Sequence, residues 1–349
     1  MVVLRFVDEK VYLGDEEIPA EDNMNFENRN ITQVVGTCPS VVKTLCLSHN
    51  PITSLFNEQG IQFNTGNLLR MYLFETQITS LFNEQGVQFD TGNLAQLYLV
   101  NNRITSLFNQ QGVPFNIGNL RRLNLNFNQV TTLFNEKGIQ FNTGNLFDFY
   151  IEHNHIDSLF NKQDIQFNTG RIDRLYLGYN QITSLFNKQG TQFNTGSLSQ
   201  LKLMENQIGS LFNQQGLSFN TGKLTWLELR KNRIESLFNK KGEQFNTGNL
   251  TCLFLWANRL SSLFNEKGEQ FNVGNIKNLE LNHNKITSLS NKDGVQFNPG
   301  NLNSLGLEGN PIELLIPDYP EIKIINNLRI YQKDLRKYIR DKKVKSARK

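Results

Sequence analysis

The chain has 349 residues, with 36 Lys and Arg against 32 Asp and Glu, a formal net charge of +4 at pH 7 and 38% hydrophobic residues. No stretch reaches the roughly 18 to 20 apolar residues of a membrane-spanning helix, and the opening "MVVLRFVDEKVYLG" carries no basic leader with an apolar run behind it, so a soluble, unsecreted, cytoplasmic protein is expected. Three cysteines, Cys38, Cys46 and Cys252, are odd in number and unclustered, which excludes a disulfide framework and fits a reducing compartment.

Residues 1–41 come first. Val2 to Leu13 reads as a small hairpin, and Met24, Phe26, Ile31 and Val34 keep the spacing of a shortened, degenerate repeat that caps the N-terminal end of a repeat array. From residue 42 the chain becomes periodic. "ITSLFNEQGVQFDTGNL", "ITSLFNQQGVPFNIGNL" and "VTTLFNEKGIQFNTGNL" recur at a 26-residue interval, and eleven units begin at Val42, Leu68, Leu94, Leu120, Leu146, Ile172, Leu198, Leu224, Leu250, Ile276 and Leu302 without insertion or deletion. A fixed period of this size means one solenoid instead of two or three independent globules.

Within each unit nine residues vary and seventeen barely change. In "LAQLYLVNNRI", Leu94 to Ile104, apolar residues stand at places one, four, six and eleven and asparagine at place nine. Leu97 and Leu99 face one way and Tyr98 the other, as a short strand requires, and the remainder of the unit is long enough to return the chain to the next parallel strand. This LxxLxLxxNxI pattern resembles the leucine-rich repeat, and the resemblance covers residues 42–316. It implies fold class α/β: a right-handed leucine-rich-repeat superhelix with a parallel concave β-sheet and short helical or irregular convex segments. The unit is two residues longer than the family's common 24-residue form.

The fixed columns read as scaffold. Asparagine fills place nine from Asn50 to Asn310 except at Thr76, where it can satisfy backbone groups of adjacent coils. Nineteen of the 26 phenylalanines fall in two columns, one from Phe63 to Phe297 and one from Phe56 to Phe264. Stacked rings give each coil an interior worth about 1.5 to 3 kcal/mol per ring. One glycine column runs from Gly66 to Gly300, and a second from Gly60 to Gly294 is broken only by Asp164, a residue type that tolerates left-handed backbone.

Residues 317–349 close the chain. Ile325, Leu328, Tyr331, Leu335, Tyr338 and Ile339 recur at helical intervals and are expected to form a basic capping helix and tail; eleven Lys/Arg against four Asp/Glu give this segment +7 and leave −3 for the rest.

No catalytic, cofactor-binding or metal site is expected, nor enzyme activity. His49, His153 and His283 share one place in units one, five and ten, some 20 Å apart at about 4.8 Å per strand, so no ion could join them. No phosphate loop, nucleophile elbow or Cys/His pair occurs. The variable places three, five and seven, which alternate away from the core, instead carry large aromatic and arginine residues, the types that dominate binding hot spots. Arg70, Tyr72, Phe74, Tyr98, Tyr150, Tyr176, Trp226, Phe254 and Trp256, with Phe127 and Tyr179 beside them at the strand ends, are the candidate partner-binding residues. A concave sheet of about ten steps of 4.8 Å spans roughly 48 Å, the scale of a protein surface. The chain is therefore expected to be a monomeric, non-catalytic protein-binding scaffold. Nucleic-acid or anionic-membrane binding through the basic tail is the alternative, and a purely structural repeat is a third reading.

Overall fold

The structure, a computed structural model, describes residues 2–312 and the backbone of the strand Arg329–Tyr331. It divides into two compact units, Met1–Asn180 with Gly196–Leu198, and Gln181–Thr195 with Ser199–Lys349.

The first unit opens with β1 (Val2–Val7), β2 (Lys10–Leu13), β3 (Glu16–Ile18), β4 (Asn23–Asn25) and β5 (Ile31–Gly36). The order β3-β2-β1-β5 makes a separate four-stranded sheet, in which β1 and β2 form an antiparallel hairpin and β5 joins β1 in parallel. This sheet lies against the first coil, since Phe6 meets Phe63 with ring centroids 6.1 Å apart. Cys38 is buried in the same region, and burial pushes its thiol up to about 12, far from a reactive thiolate.

The coils then contribute one three-residue strand each: β6 (Thr44–Cys46), β7 (Arg70–Tyr72), β8 (Gln96–Tyr98), β9 (Arg122–Asn124), β10 (Asp148–Tyr150) and β11 (Arg174–Tyr176). With β4 at the edge they pair in parallel and in register, so that identical places of successive coils face each other. The second unit continues with β12 (Gln200–Lys202), β13 (Trp226–Glu228), β14 (Cys252–Phe254), β15 (Asn278–Glu280) and β16 (Ser304–Gly306), again parallel and in register. Of the run read as a capping helix, Arg329–Tyr331 is a strand, β17, which pairs antiparallel with β16. Ile325, Leu328, Leu335, Tyr338 and Ile339 lie outside the described residues.

The interior is the pair of phenylalanine columns and the leucines of places one, four and six. The Phe63–Phe297 column is fully buried, and the Phe56–Phe264 column sits at the rim with rings edge-on to deeper ones, as in Phe82–Phe115 at 6.1 Å and Phe238–Phe271 at 6.4 Å.

Place nine holds the coils together. Asn128 Oδ1 accepts from Ile104 N at 3.0 Å, while its Nδ2 donates to Leu99 O at 2.8 Å and to Leu125 O at 3.1 Å, so a single amide bonds its own coil and the one before. Asn258 repeats this in the second unit through Ile234 N, Leu229 O and Leu255 O. Thr76 shows what the amide supplies: its shorter side chain turns its hydroxyl to Leu73 O and Asn102 Oδ1, and Ile52 N bonds to the Asn50 carbonyl at 2.8 Å.

The convex expectation needs correction. None of the described residues is helical, so the segments opposite the strands are not short helices and the α/β label does not apply to them. Each instead closes through an antiparallel bridge between residues six apart, such as Phe82 and Gln88. The cause is local: Asn83 Oδ1 accepts from Gln85 N at 3.1 Å and Val87 N at 2.8 Å, offering the backbone a turn in place of a helix, and Gly86 follows with φ of 81°. Asp164 takes that same place with φ of 62°, in the left-handed region expected of it.

Candidate protein-interaction surface

The outward face of the short strands is built column by column, because in-register pairing sets equivalent side chains about 4.8 Å apart. In the fifth column of the first unit Tyr72 and Tyr98 stack at 4.8 Å with an interplanar angle of 15°, and Phe74 of the seventh column meets both edge-on, at 5.7 and 5.8 Å. Tyr150 and Tyr176 pair at 4.8 Å in a T-shape. Asn124 occupies the fifth column between these two groups.

A charged network spans that interruption. Arg122 donates from Nη1 to Tyr98 Oη at 3.2 Å, and its guanidinium lies 6.0 Å from the centre of the Tyr150 ring. Its Nε and Nη2 both donate to Asp148 Oδ2, at 2.9 and 2.7 Å. From the other side Arg174 donates to Asp148 Oδ1 and Oδ2, at 2.5 and 2.8 Å. Asp148 is thereby buried between two arginines of neighbouring strands. The hydrogen bond to Tyr98, followed by that to Asp148, raises the Arg122 pKa, and the bond to Asp148 raises that of Arg174. Tyr150 and Tyr176 are raised chiefly by burial, which disfavours the phenolate. Opposite charges at one place of successive coils are the sequence signal for this network, visible only when the third column is read down the sheet.

Place eight carries more of the surface than its sequence column suggests. Its ten non-glycine residues, among them His49, Glu75, Phe127, His153, Tyr179, Lys231 and His283, have φ between 50° and 57°, and none of them is β-branched. Their N–H groups bond to seventh-place carbonyls of the next coil, as Phe127 does to Glu152 at 2.9 Å and His153 to Gly178 at 3.0 Å. The side chains consequently leave the sheet in parallel, and His153 sits between Phe127 and Tyr179 with centroids 3.9 and 3.8 Å away. The structure thus brings Phe127 and Tyr179 together through a histidine that the aromatic columns did not include. Phe127 remains 48% exposed.

In the second unit Trp226 meets Phe254 at 4.7 Å, and Trp256 lies beside His283 at 5.7 Å with Lys231 5.5 Å over its ring. The Trp226 indole N–H is buried with no acceptor among the described residues. Glu228 is buried on this same face, held by Arg230 at 2.8 Å. Several outward-pointing residues are thus covered by their column neighbours: Asp148, Met204, Glu228 and Cys252 are buried. Arg70 is exposed and makes no ion pair among the described residues. Among the described residues no group of three or more His, Cys, Asp or Glu could hold a metal ion, and no helix is long and apolar enough to cross a membrane.

Parallel single strands at a 26-residue pitch, an inward asparagine at the strand end and leucines on the core side define a leucine-rich-repeat solenoid. Among solved structures the chain is similar to YopM from Yersinia enterocolitica WA-314, with 19% identity over 80% of this chain and 50% of that one and a TM-score of 0.51. It is similar to a chain of the Toll–Spatzle complex, a molecular hub in Drosophila development and innate immunity, with 18% identity, 83% of this chain, 38% of that one and a TM-score of 0.55. A chain in the octameric complex of Latrophilin 3, Unc5D and FLRT2 matches at 18% identity, 81% and 84% coverage and a TM-score of 0.53. The chain therefore spans half or less of the first two proteins, and identities this low establish the fold alone. No family model and no curated protein matches the sequence.

Proposed function

We propose that this chain is a non-catalytic scaffold that binds a protein partner on the outward face of its strands. The observation that carries the reading is the aromatic surface of the first unit. Tyr72, Phe74 and Tyr98, the Tyr150–Tyr176 pair and the Phe127–His153–Tyr179 stack are partly exposed on variable places, while the fixed places maintain the coil. Rings held by their neighbours lose little conformational freedom on binding, which is how aromatic hot spots contribute affinity. Two of the proteins similar in fold are complexes with other proteins by their own descriptions, which supports the class of function and names no partner for this chain.

The test is affinity capture with the intact chain beside its Tyr150→Ala/Tyr176→Ala variant, with captured proteins identified by mass spectrometry and the affinity then measured. Both rings lie outside the core, so folding is expected to persist. Loss of one hot-spot ring weakens binding by about 2 kcal/mol, near thirtyfold. A partner held equally by a folded double variant refutes the assignment to this face. Binding that falls steeply with salt and ignores the tyrosines points instead to nucleic acid or anionic membrane on the basic tail, of which only β17 is among the described residues.

A further inference from the structure

At the leading ends of β8 to β11 the first unit holds a cavity of about 850 Å³ that the aromatic columns do not include. Its lining contains Arg121, Arg122, Arg171 and Arg174, with Asp148 as the only acidic residue, so the lining carries a net +3. Asp148 is already saturated by Arg122 and Arg174. Three of the five N–H donors of Arg122 and two of those of Arg174 are used, which leaves further donors on both guanidinium groups. Arg121 and Arg171 are exposed and make no ion pair among the described residues. Phe147 lines the same cavity, is 49% exposed, and has the Arg174 guanidinium 5.9 Å from its ring centre.

Guanidinium groups with free paired donors match carboxylates, and an exposed ring between them accepts the hydrocarbon part of a side chain. A surplus of positive charge in a chain whose residues before 317 total −3 is a local feature that selects its partner by charge. We propose that this cavity receives an acidic stretch of the protein partner. Glutamate or aspartate carboxylates of that stretch pair with Arg121 and Arg171 at the rim, and their methylenes rest on Phe147. The proposal rests on the reading that the strand face takes a protein, and adds the chemistry of one segment of it.

The experiment is fluorescence polarisation with the full chain and a labelled hexaglutamate peptide at low salt, with hexalysine of the same length as control. The variant is Arg121→Gln/Arg171→Gln, whose side chains are exposed, with its denaturation midpoint measured to confirm folding. The wild type is expected to bind hexaglutamate and not hexalysine, and the double variant to bind about five- to tenfold more weakly, with the difference shrinking at high salt. Equal binding by the folded variant, or none by the wild type, overturns the proposal. So does displacement of the peptide by inorganic phosphate at equal concentration, which would make this a simple anion site. Failure here leaves the tyrosine-dependent capture experiment unaffected, and failure of that experiment leaves peptide binding in the cavity to be read independently.

Discussion

Replacing Asn154 with leucine tests whether the place-nine asparagines bind the coils together or merely occupy them. Asn154 is 4% exposed; its Oδ1 accepts from Val130 N at 2.9 Å, and its Nδ2 donates to Leu125 O and Glu152 O, each at 3.0 Å. Leucine is of broadly similar size and removes all three bonds. The Leu125 carbonyl keeps a second donor in Asn128 Nδ2 at 3.1 Å, so the loss concentrates on the buried Val130 N–H, which has one hydrogen to give. At about 1 to 3 kcal/mol for a buried group left unpaired, Asn154→Leu is expected to cost about 2 kcal/mol. Urea denaturation reads this as a lower midpoint at unchanged slope, and amide exchange localises it as faster exchange at Val130 with no change at Ile234, whose N–H is held by Asn258. The companion change Thr76→Asn gives Ile52 N–H a side-chain acceptor in place of the Asn50 carbonyl and is expected to be neutral or slightly stabilising. An unchanged midpoint for Asn154→Leu refutes the ladder.

Two further perturbations probe the face and the far end. Burial raises the Tyr150 and Tyr176 hydroxyls above the ordinary tyrosine value near 10, so they are expected to ionise later than a free tyrosine in an ultraviolet titration. Because the folded-state value is the higher one, the stability these rings contribute is complete below about pH 10 and is lost as the pH rises through the raised value; removing both rings should abolish the late-titrating fraction, and its persistence would refute the assignment. Deleting residues 321–349 removes β17 and uncovers the edge of β16, so light scattering should report association; a truncated chain that stays monomeric and equally stable shows that the segment is not a cap.

The sheet was readable because its cause is repeated at fixed phase: Leu97 and Leu99 around Tyr98, then Leu123 and Leu125 around Asn124, leave no other register. The convex side was not, because the sequence "FNEQGVQF" shows no helical or strand period and its shape depends on one side chain, Asn83, bonding to backbone two and four residues on. Within the run read as a capping helix, a related reason applies to the described strand Arg329–Tyr331. Tyr331 fits a helical spacing, yet the unpaired edge of β16 offers backbone partners that local spacing does not register. On the candidate surface, residue type was readable and contact was not. Tyr72 and Tyr98 stack because place five repeats, whereas Arg122 joins Tyr98 to Asp148 by a diagonal contact across two strands.

The same geometry explains how one scaffold tolerates so varied a face. Strand-end N–H groups of place eight bond to carbonyls of the next coil, every place-nine residue is asparagine or, once, threonine, and the phenylalanine and leucine columns fill the interior, so cohesion depends on the backbone and these fixed columns rather than on the side chains of places three, five, seven or eight. A variable place therefore answers only to its vertical neighbours. His153 between two rings, Asp148 between two arginines and His49 between Glu27 and Glu75 are three local answers to that condition within one unit. Chemistry on such a face is specified in runs of two or three coils. On the proposed function, a partner that reads the tyrosines of one run and the arginines beside them would be recognised by the order of the coils as much as by any single residue.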